Sequence, residues 1–278
     1  MKNISTYISE KLKISSTNPT HAYVPNDKIE LLQILEDLIA KRGLDADLND
    51  IDTSKVTSMS ELFIEYPKFC GDISEWDMLN VMSTSDMFDE CRKFNCDISN
   101  WNVSNITNMT GMFYYCESFN QDLSKWDVSK VINMSYMFFG CTSFNQDLSH
   151  WNVSNVKDMY GMFCACKNFD SNLSKWDVSN VDRMGQMFMY CENFSSNLSD
   201  WNVSNVISMN SMFAGCKKFN SDLSKWDVSN AENMKYMFNG CTSFDQDVSK
   251  WNWNVQNVKS KANMFDGTKY KKYPLWAL

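Results

Sequence analysis

Proline is missing from residue 68 to residue 273. That leaves every backbone N–H in the stretch free to donate, as a continuous hydrogen-bonded ladder requires. Histidine is almost as scarce, with only His21 and His150 in the chain. The scarcity argues against zinc and against a Cys–His nucleophile pair. Ten cysteines are present without a Cys-x-x-Cys; the nearest approach is Cys164-Ala165-Cys166. No run of about 18 apolar residues occurs, so no membrane insertion is expected. Residues 1–11 lack the apolar core of a secretory signal, which makes a cytoplasmic location the default expectation. Basic residues are scattered, and 26 Lys and Arg against 34 Asp and Glu give a net charge of −8. Without a basic stripe to neutralise phosphates, nucleic acid is not an expected partner.

What is abundant is periodic. Trp76, Trp101, Trp126, Trp151, Trp176, Trp201, Trp226 and Trp251 lie 25 residues apart, with Ile51 in the same register. Counting from each Trp as zero, position 5 is mostly Val, position 11 Met, positions 12 and 18 Phe, and position 22 Ile, Leu or Val. In the unit from Trp126 these are Val131, Met137, Phe138, Phe144 and Leu148. The phase slips by two residues near the end, where Trp253, Val255, Val258, Met264 and Phe265 resume the register after an insertion, Trp251-Asn252. A unit this short cannot bury its own apolar side, so about nine units over 47–265 must stack into a repeat solenoid.

Within one coil, positions 8, 11, 12 and 15 are apolar, as at Met109, Met112, Phe113 and Cys116. That is the spacing of one helix face and predicts a short helix, closed by glycine as at Gly140, Gly215 and Gly240. Trp-x-Val-x-x-Val predicts a short extended run, and Asp-Leu-Ser a second. Ahead of the repeats lies a segment over 1–46, irregular to residue 25 and then helical over about 28–42. Asp27 and Glu30 have capping-box spacing; Leu31, Leu32, Leu35, Leu38 and Ile39 form the apolar stripe; Lys41 and Arg42 suit the helix dipole; Gly43 is a stop. This helix is expected to cap the exposed end of the solenoid. Residues 266–278 are expected to form a C-terminal cap or tail, with the stretch 270–276 covering the other end.

Residues 137–156, Met-Phe-x-x-Cys-x-x-Phe-Asn-x-Asp-Leu-Ser-x-Trp-Asn-Val-Ser-Asn-Val, resemble the BspA-like leucine-rich-repeat surface proteins of bacteria, protists and some large viruses. The resemblance extends over 47–265 and implies a leucine-rich-repeat-like solenoid that binds proteins or host surfaces. It also implies surface display as the alternative to a cytoplasmic location. It carries over no catalytic residues.

Most tempting chemistry dissolves into the period. Seven cysteines, from Cys91 to Cys241, fill position 15, where a free thiol behaves as a small hydrophobe. Asp or Asn fills positions 1 and 21, as at Asp127 and Asp147; turn formation explains these ladders better than calcium, whose loops are richer in glycine. The Trp column suggests a buried ladder before a sugar-binding track. No metal or cofactor is expected, nor an enzyme, because no non-periodic polar cluster stands out.

Function is expected where the units differ. Positions 9, 10, 13 and 14 vary most and carry Tyr114, Tyr115, Tyr136, Phe139, Tyr160, Met189, Tyr190 and Tyr236. Aromatics clustered across consecutive coils are candidate anchors for a protein partner. The leading expectation is a non-catalytic protein-interaction scaffold. A structural spacer or surface adhesin is the alternative, with carbohydrate binding more distant.

Overall fold

The structure is a computed structural model that describes residues 21–251 and 253–269. The expectations for 1–20, Asn252 and 270–278 lie outside the described residues.

The chain winds into a repeat solenoid of parallel-stacked coils. Eight bridges in one column, from Ser58↔Ser83 to Asn233↔Ser260, tie successive coils in register. An extra bridge, Tyr23↔Ile51, adds residues ahead of the first coil, so part of the segment read as irregular is in fact paired. Among the described residues, the only α-helix is α1, Lys28–Arg42. Asp27 caps it by accepting from the N–H groups of Ile29 and Glu30 at 2.8 and 3.0 Å. Glu30 reaches back one residue beyond the cap, accepting from the backbone and side chain of Asn26. Leu31, Ile34, Leu35, Leu38 and Ile39 are buried. Ile34 thus takes the place on the stripe expected for Leu32, which is only half-buried. Arg42 serves more than the helix dipole: it donates to both carboxylate oxygens of Asp50 and to the Asp47 carbonyl, fastening α1 to the first coil.

The short helix expected in every coil does not form. Its i, i+3, i+4, i+7 apolar pattern is real, but a run of tight turns satisfies it instead. In the coil from Trp126, the N–H groups of Met137, Phe139 and Cys141 donate three residues back within the coil, to Met134, Tyr136 and Phe138. The N–H groups between them leave the coil: Met134, Tyr136, Phe138 and Gly140 donate to the carbonyls of Asp158, Tyr160, Met162 and Cys164 in the next coil, at 2.7–2.9 Å. From the Trp76 coil onward two left-handed residues per coil, here Tyr136 at φ 58° and Gly140 at φ 74°, turn the peptides to make this alternation possible. A helix would keep all these donors inside one coil and leave none to stack it. The extended runs also shorten, to single bridges.

The apolar columns merge into one continuous core. Phe113 stacks on Phe119 of its own coil at 4.1 Å between ring centroids and on Phe138 of the next at 5.5 Å. The Phe rings of both columns from Phe63 to Phe194 are fully buried, each contributing about 2–3 kcal/mol of apolar burial.

Two side-chain columns clasp neighbouring coils. Each Trp backbone N–H donates three residues back, and the indole of the next Trp donates to that same carbonyl. The Leu123 carbonyl, for example, accepts Trp126 N at 3.1 Å and Trp151 Nε1 at 3.0 Å. A carbonyl has two lone pairs, so both bonds are full ones. The cysteines repeat the device: the Phe113 carbonyl accepts Cys116 N and, from the next coil, Cys141 Sγ. The two-residue slip is visible here. Trp253, not Trp251, donates its indole to the Leu223 carbonyl, while Trp251 follows a 3₁₀ turn at Val248–Lys250 and meets Phe244 edge-on.

This clasp separates two substitutions. Trp151→Phe keeps one aromatic ring but loses the pyrrole part with its inter-coil donor, and is expected to cost about 1–2 kcal/mol; Trp151→Ala leaves a much larger cavity and is expected to cost about 3–5 kcal/mol. Denaturant unfolding followed by circular dichroism measures both, and an unchanged stability for Trp151→Phe would show that the indole N–H contributes nothing.

Candidate interaction surface

The variable positions do not flank a helix, as expected, but form the outer side of the turn ladder. Tyr115, Tyr136, Tyr190 and Tyr236 occupy left-handed positions, with φ between 51° and 60°. That conformation costs a bulky L-residue roughly 1–2 kcal/mol, which glycine would avoid.

Five of the eight candidates form one contiguous cluster across three coils. Tyr114 stacks on Phe139 at 4.8 Å and meets Tyr115 and Tyr136 edge-on at 4.8 and 6.2 Å. Tyr136 in turn meets Tyr160 at 5.4 Å. All five are half-buried. Guanidinium groups flank the strip: Arg92 lies 5.6 Å over Tyr115, and Arg183 lies 5.4 Å over Tyr160. Met189 and Tyr190 stand further along the solenoid, Tyr190 with 55% of its surface open. Tyr236 is further still, beneath Lys235 at 4.8 Å.

The rings are supported by glycines one coil on. A Cβ added at Gly140 would lie 2.6 Å from the Tyr115 ring, at Gly161 2.8 Å from Tyr136, at Gly185 2.7 Å from Tyr160, and at Gly215 2.5 Å from Tyr190. In each pair the glycine sits 25 residues after the tyrosine. Each of these tyrosines therefore leans onto the next coil. This Tyr–Gly spacing is present in the sequence, as a relation between two columns rather than a repeat within one.

With this geometry in view, comparison with known proteins places the chain. The family described as "Mycoplasma protein of unknown function, DUF285" matches residues 35–138, 98–192 and 164–276. The chain belongs to the DUF285 family. No curated protein matches it. Among solved structures, a crystal structure titled as a TLR13–ssRNA13 complex is similar at 9% identity, with a TM-score of 0.27. That likeness covers 87% of this chain and 52% of the other, so the DUF285 chain spans about half of it. At that score it bears on neither fold nor ligand.

The remaining candidate chemistry of the DUF285 chain is structural. The Trp rings retain only 3–6% of their surface, so the column presents no face to a sugar. Burial raises the column thiols far from ionisation, Cys91 to about 12, and the same holds for Cys164. Such thiols stay protonated, and those of the column donate hydrogen bonds to carbonyls of the preceding coil. The polar ladders make the expected turns: Asp127 and Asp147 accept the N–H of Ser129 and Ser149, two residues on. A third such column, at Asn108, Asn133 and Asp158, escaped the sequence reading. So did an asparagine ladder in which Asn155 and Asn180 donate to the Ser129 and Ser154 carbonyls of the preceding coil. Among the described residues, no group of three or more His, Cys, Asp or Glu is placed to hold a metal, and no helix is long and apolar enough to cross a membrane.

One acidic group stands outside the period. Asp86 lies over Gly111, and Asp89 holds the position that Tyr114 occupies one coil later. Asp89 Oδ1 is buried without a hydrogen-bond partner. Burial, then the neighbouring Glu61 for Asp86, and Asp86 and Glu90 for Asp89, push both carboxyls above 3.8.

Two predictions follow from these contacts. Gly161→Ala is expected to cost about 2–4 kcal/mol, because it adds a clash with Tyr136 to the left-handed strain; in a Tyr136→Ala background only the strain of about 1–2 kcal/mol should remain. A double-mutant cycle by denaturant unfolding reads the difference, and additive losses would disprove the ring–glycine contact. The second concerns acid. Hydrogen bonds from the serine two residues on hold Asp72, Asp97, Asp122, Asp127, Asp147, Asp177 and Asp227 below 3.8 when folded. Their stabilisation is complete above the unfolded value and is lost as pH falls through the folded one. Asp86 and Asp89, with raised values, act oppositely, and their protonation just above 3.8 favours the fold. Thermal melts from neutral pH down to about 2 should hold or rise slightly, then fall steeply below 3.8. A steady decline beginning near neutrality would contradict this assignment.

Proposed function

We propose that this DUF285 chain is a non-catalytic scaffold that binds protein partners through the strip formed by Tyr114, Tyr115, Tyr136, Phe139 and Tyr160. The observation that carries the reading is the contiguity of this strip on an otherwise uniform ladder. Half-buried rings held by the coil beneath them are pre-organised, so little side-chain entropy is lost when a partner covers them. Tyr115 and Tyr136 also hold bulky rings at left-handed positions that glycine fills elsewhere in the same coils, at Gly111 and Gly140. The reading fits the resemblance to BspA-like leucine-rich-repeat proteins, whose surfaces bind proteins. On this view Tyr190 and Met189 form a second, smaller contact. The rival reading, a structural spacer, draws support from the uniformity of the Trp and Cys clasps, and it gives the aromatic strip no role.

Affinity capture from the native source distinguishes the two. The wild-type chain should retain a defined partner, and the triple variant Tyr114→Ala, Tyr136→Ala, Phe139→Ala should lose it by roughly 30-fold or more, as buried aromatic anchors do. Undiminished capture by a folded triple variant would leave the spacer reading in possession.

A further inference from the structure

The strip ends differently on its two flanks. At its C-terminal end, Arg183 lies over Tyr160 and pairs with Asp158 at 2.8 Å. At the Tyr115 edge, Arg92 lies over that ring and pairs with Glu90 and Glu117. Each of these places combines an aromatic face with a carboxylate, and each holds a guanidinium. A ring attracts a cation through its quadrupole, and the carboxylate adds direction and charge.

The third combination lacks its cation. Tyr114 stands at the N-terminal end of the strip, stacked on Phe139. Asp89 precedes it by one coil at the same position and acts electrostatically on its hydroxyl. Asp86 lies over Gly111, whose carbonyl accepts the Tyr114 N–H. Among the described residues, neither aspartate takes part in an ion pair, and one Asp89 oxygen is buried without a partner. Two half-buried carboxylates beside a half-buried ring, with no ion-pair partner within the chain, favour a cation brought from outside.

We propose that the place bounded by Asp86, Asp89 and Tyr114 receives an arginine side chain from a protein partner, as Arg92 and Arg183 fill the equivalent places from within. The inference deepens the scaffold reading and rests on it. From Tyr114 to Tyr160 the rings extend over three coils, more than one side chain covers, so the arginine belongs to a polypeptide that continues along Phe139, Tyr136 and Tyr160. Arginine is favoured over lysine because a planar guanidinium stacks on the ring while its N–H groups reach the carboxylates.

The test uses the full chain and fluorescent decapeptides alternating glycine with arginine, lysine or glutamate. The Gly-Arg peptide is expected to bind, the Gly-Lys peptide several-fold more weakly, and the Gly-Glu peptide not at all. Asp86→Asn with Asp89→Asn should weaken Gly-Arg binding by about tenfold or more at physiological salt. Glu75→Gln with Asp200→Asn removes the same charge away from the strip and should change it by no more than about twofold. Equal loss in the two double variants, equal binding of the Gly-Arg and Gly-Lys peptides, or no Gly-Arg binding would each overturn the proposal. Circular dichroism confirms that each variant is folded. Repeating the native-source capture with both aspartate substitutions separates the two readings. A partner lost on the triple aromatic substitution but retained on Asp86→Asn with Asp89→Asn would refute the arginine site and leave the scaffold standing.

Discussion

Everything in this solenoid depends on sending alternate backbone N–H groups out of their own coil. Between Met134 and Cys141, one donor closes a turn and the next reaches the following coil. That alternation requires left-handed backbone twice per coil, at the places of Tyr136 and Gly140. It determines what the surface looks like as well as how the coils stack. At several left-handed positions a bulky residue in one coil rests over a glycine in the next. Tyr136 over Gly161 and Asp86 over Gly111 are the same solution with different chemistry.

The clasps explain why tryptophan and cysteine recur so strictly. A stacked coil leaves carbonyls with one lone pair used and one directed toward the next coil. Buried in an aromatic core, that second lone pair has no water to meet it. Trp Nε1 and Cys Sγ both supply a donor from a largely apolar body, which suits a position that is otherwise hydrophobic. The device makes the two columns mechanically similar although their residues differ in size. It also accounts for the insertion near the C-terminus: Trp251 remains in the core, but Trp253 takes the carbonyl because it recovers the register.

The period was legible in the sequence because identity at a fixed spacing needs no knowledge of conformation. The columns of Trp, Phe, Met and Cys are therefore core, as expected, and α1 occupies the range its caps and stripe indicated. The local conformation was not legible. Met109, Met112, Phe113 and Cys116 satisfy a helical period, and nothing in apolar spacing reveals that Gly111 and Tyr115 between them are left-handed. The informative residues were those between the apolar ones. Glycine appears at those positions only in some coils, because tyrosine, glutamate or serine endures the same φ elsewhere. The eight surface candidates were legible as departures from the repeat, yet only the three-dimensional stack shows that five of them touch. The acidic pair Asp86 and Asp89 went unnoticed because aspartate is common elsewhere in the unit, where it makes turns.

This contrast gives the surface its physical meaning. Aspartates such as Asp127 and Asp147 are lowered by the N–H groups and hydroxyls of the turns they close, and their charge is satisfied where it stands. Asp86 and Asp89 are raised instead, by burial first and then by Glu61 at Asp86 and by Asp86 and Glu90 at Asp89, and only the Glu90 backbone N–H opposes the rise, at Asp89. The fold would be more stable with neutral residues there. The left-handed tyrosines beside them carry a cost of the same kind. A repeat protein can place any residue at a position that its ladder does not use, so two half-buried carboxylates next to a cluster of rings are not forced by the architecture. Their charge becomes favourable in one event, the arrival of a cationic chain that covers the rings.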